Sequence, residues 1–158
     1  MNAPRRVFLQ QAAITAGTLA MVSAGCENTT KNLPSKNTEM AMSPNKQTVQ
    51  KYMNAFNRSD HAEILSCLTE DVEWLCPGTF HLTGKEAFDK EIENPAFVGR
   101  PKIVVTRMLE ENNVVCAEGT VQATKKEGAT LNLVFCDLFA MRDAKIKQLT
   151  SYLMEVKA

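Results

Sequence analysis

Apolar residues recur at helical spacing before residue 60 and at strand spacing near the end of the chain. Ser43 followed by Pro44 is typical of a helix start, because serine can cap and proline at the first helical position loses no needed donor. The apolar positions that follow indicate a first helix ending near Asn57: Val49, Tyr52, Met53 and Phe56. Asp60, with Glu63 three residues on, predicts a second and shorter helix.

A short apolar run, DVEWL, follows the second helix and predicts a strand that stops at Pro77-Gly78. Thr83 and Glu86 have the spacing of a capping box, so we expect a third helix that ends before Pro95. Two strands and a hairpin are predicted after it: KIVVTRML, VVCAEGTVQATK and the hairpin from Leu131 to Val156. This order predicts an α+β domain, in which a cone-shaped, curved antiparallel sheet is packed by three N-terminal helices and encloses a cavity.

The first strand of the predicted hairpin carries an acid on an apolar face. Under the two-residue alternation of a strand, four large apolar side chains share that face: Leu133, Phe135, Phe139 and Met141. Asp137 lies in the middle of them. A carboxylate there is unfavourable unless it is paired, hydrogen-bonded or neutral, so Asp137 is a candidate ligand-facing acid. The alternative is a structural carboxylate that caps backbone groups at a bulge.

Residues 1–26 are typical of a bacterial export signal. Arg5 and Arg6 form a twin-arginine pair, and a weakly hydrophobic stretch rich in alanine, glycine and threonine follows. The last four residues, SAGC, resemble a lipoprotein box in which Cys26 is lipidated. Cleavage without lipidation and an uncleaved anchor stay open as alternatives. We therefore expect an exported protein, either periplasmic or held to a membrane through its lipid anchor.

Residues 27–42 are polar and predict a flexible tether, which leaves residues 43–158 for one folded domain. Eighteen basic and eighteen acidic residues cancel, so no strong field is available to attract nucleic acid. No spacing of cysteines or histidines resembles a metal site. Apart from Cys26, four cysteines remain, and we expect mostly buried free thiols: Cys67, Cys76, Cys116 and Cys136. Cys67 with Cys76 is the pair to test first for a disulfide.

Three segments together resemble a known family. They are KYMNAFNRSDHAEILSCLTEDVEWLCPG, LTGKEAF and DLFAMRDAKIKQLTSYL, and the resemblance covers about Lys46 to Val156. Their order and spacing are similar to the SnoaL-like branch of the nuclear transport factor 2-like superfamily. The resemblance implies the fold but no single activity, because this fold hosts isomerases, cyclases, dehydratases, epoxide hydrolases and non-catalytic binders.

Within that superfamily, the ketosteroid isomerases offer a comparison at the level of residues. Their oxyanion hole uses a tyrosine on the first helix and a protonated aspartic acid on a late strand, and Tyr52 and Asp137 match these positions. Their general-base aspartate on the first strand falls near Leu75, which cannot take a proton. The resemblance therefore implies the electrophilic half of that machinery without its usual base, and it argues against simple ketosteroid isomerase activity.

Two other carboxylates are candidates for the missing base. A two-residue turn at Glu127-Gly128 would place Glu118 directly across from Asp137, where the two acids would share a proton. A three- or four-residue loop would change that register and remove the pairing. Glu73 shares a strand face with Leu75 and is the fallback base, with a solvent-exposed Glu73 as the alternative.

The candidate ligand-lining residues are mostly apolar: Leu75, Trp74, Phe56, Phe135, Phe139 and His81. Trp74 can instead be core packing, and His81 can be a surface residue of a loop. We predict that the domain binds a small, largely apolar molecule without a cofactor, and that cofactor-free isomerisation or cyclisation is the activity such a site would carry. The alternative is a non-catalytic ligand-binding or assembly module on a lipoprotein tether. A homodimer is a further expectation from the resemblance.

Overall fold

The computed structural model describes residues 41–156, which form three helices and six strands. The helices are α1 (Pro44–Phe56), α2 (His61–Ser66) and α3 (Lys85–Ile92). The strands are β1 (Leu68–Cys76), β2 (Phe80–Thr83), β3 (Phe97–Glu111), β4 (Val114–Lys125), β5 (Thr130–Arg142) and β6 (Lys145–Glu155). The predicted export signal and the tether up to residue 40 lie outside the described residues. Within residues 41–156, no helix has the length and apolar character needed to cross a membrane.

Capping side chains explain where the first two helices begin. The Ser43 hydroxyl accepts a hydrogen bond from the Lys46 backbone N–H at 3.2 Å, and Pro44 takes the first position of α1. Asp60 caps α2 in the same way and accepts from the Glu63 backbone N–H at 2.9 Å. Both helices therefore start where the sequence predicts.

The segment between β1 and α3 departs from the prediction. The short strand β2 turns back beside β1, so that Phe80 pairs with Cys76. Thr83 ends this strand, Gly84 precedes α3, and no side chain caps the helix. The predicted capping box at Thr83 is therefore wrong. The sequence predicts β1 between the second and third helices but not β2, so two strands rather than one separate α3 from α1 and α2.

The six strands form one curved sheet in the order β2-β1-β6-β5-β4-β3. Neighbouring strands are antiparallel except for β1 and β6, which run parallel with Trp74 beside Leu149. The prediction of an antiparallel sheet is wrong for that pair. Parallel neighbours need a long crossover, and here the chain from β2 to β5 supplies it. The first strand of the domain consequently lies beside the last one.

The helices pack on one face of this sheet, which we call the inner face; its residues include Val115, Ala117, Phe135, Asp137, Phe139 and Leu149. The opposite, outer face includes Glu73, Cys116, Glu118, Cys136, Leu138 and Tyr152. The core lies between the helices and the inner face. Its helical side consists of large apolar side chains: Val49, Tyr52, Met53, Ile64, Phe88 and Ile92.

Two turns set the registers of the last three strands. The Lys125 N–H donates to the Ala129 carbonyl at 2.8 Å and closes a three-residue turn, in which Gly128 has a φ of 91°. The β5–β6 turn contains only Asp143 and Ala144, both with positive φ, as a two-residue hairpin turn requires. The first turn is thus one residue longer than the two-residue turn expected at Glu127-Gly128.

That extra turn residue shifts β4 by one position against β5. Asp137 faces Ala117, and Glu118 faces Cys136. Because successive strand residues point to opposite faces, a shift of one residue moves Glu118 to the outer face. The predicted pairing of Glu118 with Asp137 is therefore wrong.

Candidate ligand site around Asp137

Strand β5 presents one acid to the apolar inner face. Alternation along this strand turns Phe135, Asp137 and Phe139 toward the helices, and all three are buried. Asp137 itself is 9 % exposed. Its predicted position among large apolar side chains is confirmed.

The carboxyl group of Asp137 is not fully satisfied by hydrogen bonds. Its Oδ1 atom is buried and has no hydrogen-bond partner among residues 41–156. Burial disfavours the charged form and raises the pKa of Asp137 to about 7, while Ser151 acts in the opposite direction and lowers it. Both protonation states are therefore populated near neutral pH. The protonated carboxyl group can donate a hydrogen bond, and the ionised carboxylate can accept a proton.

The neighbour of Asp137 on β6 is Ser151. The Ser151 hydroxyl accepts a hydrogen bond from Nε1 of Trp74 at 3.1 Å. Because an indole only donates, the hydroxyl keeps its own hydrogen, which can point toward Asp137. Sequence reasoning missed Ser151. The sequence indicated this residue only through the alternation of the last strand, which places the Ser151 hydroxyl on the same apolar face as Leu149.

Tyr52 approaches the same region from α1. The residue is buried, and its ring centroid lies 5.6 Å from that of Phe139. Burial, followed by the charge of Asp137, raises the pKa of Tyr52 well above its ordinary value. The phenol therefore stays protonated at physiological pH and can donate a hydrogen bond. Tyr52 and Asp137, predicted to act together, lie on the same side of the sheet.

Aromatic rings occupy the space between the helices and β1. Trp74 stacks on Phe88 with ring centroids 4.7 Å apart, and it meets Phe80 edge-on at 5.1 Å. Phe56 lies 5.1 Å from Tyr52 and 6.2 Å from Trp74, again between ring centroids. Four of the predicted lining residues thus lie on the helical side of the sheet: Phe56, Trp74, Phe135 and Phe139. Phe80 and Phe88 were not predicted to line the site.

Glu118 does not belong to this cluster. It lies on the outer face, where its Oε2 is 2.9 Å from Nη2 of Arg107. The sheet separates its carboxylate from that of Asp137, so the two acids cannot share a proton.

Glu73, Leu75 and His81 also lie on the outer face. Leu75 and His81 are paired between β1 and β2, and Glu73 alternates with the inward Trp74. Oε2 of Glu73 lies 3.2 Å from Nε2 of His81, and Oε1 lies 3.4 Å from Nζ of Lys147. His81 first, then Lys147, hold the pKa of Glu73 below its ordinary value, which makes it a weaker base. The sheet thus separates all three predicted site residues from Asp137.

Two surface depressions flank α1. One lies along α1 and α2, and the other lies between the start of α1 and the β3–β4 turn; neither includes Asp137. The enclosed cavity therefore stays a prediction. Within the described part of the chain, no group of three or more histidine, cysteine, aspartate or glutamate residues is arranged to hold a metal ion.

The sequence model of the SnoaL-like domain family matches residues 49–149 of this chain. The chain belongs to the SnoaL-like domain family. Comparison of this SnoaL-like domain with curated proteins finds no match. Solved structures, in contrast, share its fold.

Three of these structures are similar to the SnoaL-like domain over most of their length. An NTF2-like protein of unknown function from Burkholderia pseudomallei is 20 % identical, with 72 % of this chain and 92 % of that one covered and a TM-score of 0.66. TerC, co-crystallised with polyporic acid, is 24 % identical, with 71 % and 92 % covered and a TM-score of 0.65. A proposed ketosteroid isomerase from Kribbella flavida is 21 % identical, with 73 % and 81 % covered and a TM-score of 0.60. The likeness establishes an NTF2-like fold, as the sequence predicts.

Proposed function

We propose that this SnoaL-like domain binds a small, largely apolar molecule that carries a hydrogen-bond-accepting oxygen. One observation carries the proposal: Oδ1 of Asp137 is buried on the inner face without a hydrogen-bond partner in the described residues. Buried polar atoms are nearly always hydrogen-bonded, and a ligand oxygen would supply the missing partner. The aromatic rings of Trp74, Phe135 and Phe139 suit the apolar remainder of such a molecule.

Two hydrogen-bond donors would meet the ligand oxygen. Tyr52 is protonated because its pKa is raised, and Asp137 donates when it is protonated. Donors held in a site with little water stabilise negative charge that develops on a carbonyl oxygen. TerC, which shares the fold, was crystallised with polyporic acid, and this supports a small organic molecule as the ligand.

A second candidate function is proton transfer in a cofactor-free isomerisation or cyclisation. The pKa of Asp137, about 7, favours it, because general acid–base catalysis works best when the pKa lies near the operating pH. Asp137 itself would move the proton, since Glu118 and Glu73 lie on the outer face. The non-catalytic alternative is the same ligand-binding domain without turnover, or an assembly module.

Calorimetric titration with two matched probes tests the binding proposal. 2-Acetonaphthone has a carbonyl oxygen, and 2-ethylnaphthalene has nearly the same shape without one. The ketone should bind the native protein about tenfold more tightly than it binds Asp137→Leu, which corresponds to one lost hydrogen bond. The hydrocarbon should bind both proteins with similar affinity.

Glu118→Gln is the matched control, because it neutralises a carboxylate on the outer face. It should bind the ketone like the native protein. Equal ketone affinities for native protein and Asp137→Leu would contradict the proposed role of Asp137. Tyr52→Phe should weaken the binding of the ketone in the same way, since it removes the second hydrogen-bond donor and keeps the aromatic ring.

We also propose export and lipidation at Cys26, supported by the sequence of residues 1–26. Cys26→Ser should release the protein from membranes into the soluble periplasmic fraction, and unchanged fractionation would exclude lipidation there. Replacing both Arg5 and Arg6 with lysine should block export. Normal export of that double variant would leave only a general secretory signal.

A further inference from the structure

Two cysteines meet on the outer face, directly behind Asp137. Cys116 of β4 is opposite Leu138, and Cys136 of β5 is opposite Glu118, so the two cysteines are diagonal neighbours on adjacent strands. Their Sγ atoms lie 3.6 Å apart, and both are free thiols. The sequence does not predict this contact, because it depends on the register of the two strands.

The other two cysteines of the described domain have different surroundings. Cys67 and Cys76 are buried, and Sγ of Cys67 donates to the backbone carbonyl of Glu63 at 3.3 Å. Cys116 and Cys136 are partly exposed, contrary to the expectation of buried thiols. The helices pack on the inner face, so they do not cover this pair, and a small reagent can approach it.

We propose that Cys116 and Cys136 are a redox-active pair that a small-molecule disulfide oxidises to an intramolecular disulfide. Bonded sulfur atoms are about 2.05 Å apart, so the two Sγ atoms must approach by about 1.5 Å. Rotation of the two side chains, with a local adjustment of strands β4 and β5, would supply that movement, because diagonal neighbours lie farther apart than directly opposite residues. An oxidising compartment, which the predicted export signal implies, would favour the oxidised form.

The reaction consists of two thiol–disulfide exchanges. One cysteine thiolate attacks a reagent sulfur, forms a mixed disulfide and releases one reagent thiolate. The second cysteine thiolate attacks the protein sulfur of that mixed disulfide, forms the Sγ–Sγ bond and releases the other reagent thiolate. The cysteines lose two electrons, the reagent gains them, and the two thiol protons pass to solvent or to the released thiolates.

The attacking species is a thiolate, so the rate should depend on pH. Burial, followed by the contact with Cys136, raises the pKa of Cys116. Exchange should therefore be slow near neutral pH and faster in alkaline buffer.

Peptide mapping of the full chain tests the proposal. The chain carries Cys26→Ser in every sample, is treated with glutathione disulfide in alkaline buffer, where exchange is fast, and is then alkylated at its remaining thiols and digested with trypsin. We expect the peptides 108–125 and 127–142 to be joined by a disulfide in most of the chains, with a loss of two hydrogen atoms per chain. Cys67→Ser should keep this link, and Cys116→Ser should lose it.

The same digest contains the results that would overturn the proposal. Cys67 and Cys76 lie together in peptide 59–85, so a bond between them would appear as a loss of two hydrogen atoms within that one peptide. The proposal would be contradicted by that bond in place of the predicted link, or by a link between two chains. Glutathione adducts without a link, or four alkylated thiols, would contradict it as well. Mapping of the Cys26→Ser chain keeps all four domain cysteines, so a further variant that fails to fold does not weaken the test.

Discussion

Asp137 and Glu118 are carboxylates on neighbouring strands, one register position apart, with opposite surroundings. Asp137 faces the aromatic core, and burial raises its pKa to about 7. Glu118 faces outward and is paired with Arg107 at 2.9 Å. The comparison shows that the face of the sheet decides what a carboxylate can do: one acid can exchange a proton near neutral pH, and the other is a counter-ion.

Charged side chains have different partners on the two faces of the sheet. On the outer face, Oδ1 of Asp71 lies 2.5 Å from Nη2 of Arg142, and Oδ2 of Asp71 lies 3.5 Å from Nζ of Lys147. Its hydrogen bond with Arg142 holds the pKa of Asp71 well below its ordinary value. On the inner face, Asp137 has no basic partner within residues 41–156, where Ser151 is the group that opposes the effect of burial. A change of pH near neutrality should therefore alter the stability of the fold through the inner face, whereas the outer-face carboxylates with lowered pKa act only in acid.

The largest expected contrast between the faces comes from two adjacent residues of β5. Phe139 is fully buried and contacts Tyr52, so Phe139→Ala should lower the free energy of unfolding by about 3–5 kcal/mol. Leu138 is 37 % exposed on the outer face, and Leu138→Ala should lower it by less than about 1 kcal/mol. Urea denaturation of both variants checks this, and equal losses would contradict the assignment of the faces.

Asp137→Asn should remove a dependence of stability on pH. The folded-state pKa, about 7, lies above the value of about 3.9 for an unfolded aspartate. The folded protein therefore retains this proton to higher pH, so its stabilising effect is full below about pH 4 and is lost as pH rises to about 7. Between about pH 5 and pH 8, the native protein should lose about 2–3 kcal/mol of unfolding free energy through this group.

Denaturation of Asp137→Asn, Glu118→Gln and native protein across that pH range isolates the effect. Glu118→Gln should keep the native slope, because its carboxylate lies on the outer face. A slope unchanged in Asp137→Asn would refute the raised pKa. An Asn variant strongly destabilised at every pH would instead identify Asp137 as a structural carboxylate.

Ser151→Ala should have a smaller effect on stability and a second, diagnostic effect on pH dependence. It leaves Nε1 of Trp74 without its acceptor, which should lower the free energy of unfolding by about 1–2 kcal/mol. It also removes the group that lowers the pKa of Asp137, so the pH-dependent loss of stability should extend to higher pH. Thr150→Ala, one residue away on the outer face, is the control. It should change neither the hydrogen bond of Trp74 nor the pH dependence of stability.

The smallest effect is expected from the outer-face ion pair. Arg107→Ala should change the free energy of unfolding by about 0.5 kcal/mol or less, because both partners are well exposed to solvent. Added salt should reduce even that difference. A loss above about 1 kcal/mol would show that the outer face contributes more than its exposure indicates.

Sequence patterns were sufficient wherever the cause is local. The period of two along β5 placed Phe135, Asp137 and Phe139 on one buried face, because the pleat alone decides that arrangement. Ser43 and Asp60 marked two helix starts, because a cap bonds to the backbone within three residues. The weak link was the turn after Lys125, where one additional residue moved Glu118 to the other face.

By itself, the sequence determined where the two capped helices begin, the β5–β6 hairpin and the buried position of Asp137. The tertiary structure alone decided that β1 lies parallel to β6, which brings Trp74 to Ser151, and that Cys116 meets Cys136. These contacts join residues far apart in the chain. They depend on register and on the packing of the whole sheet, and no local pattern of side chains carries that information.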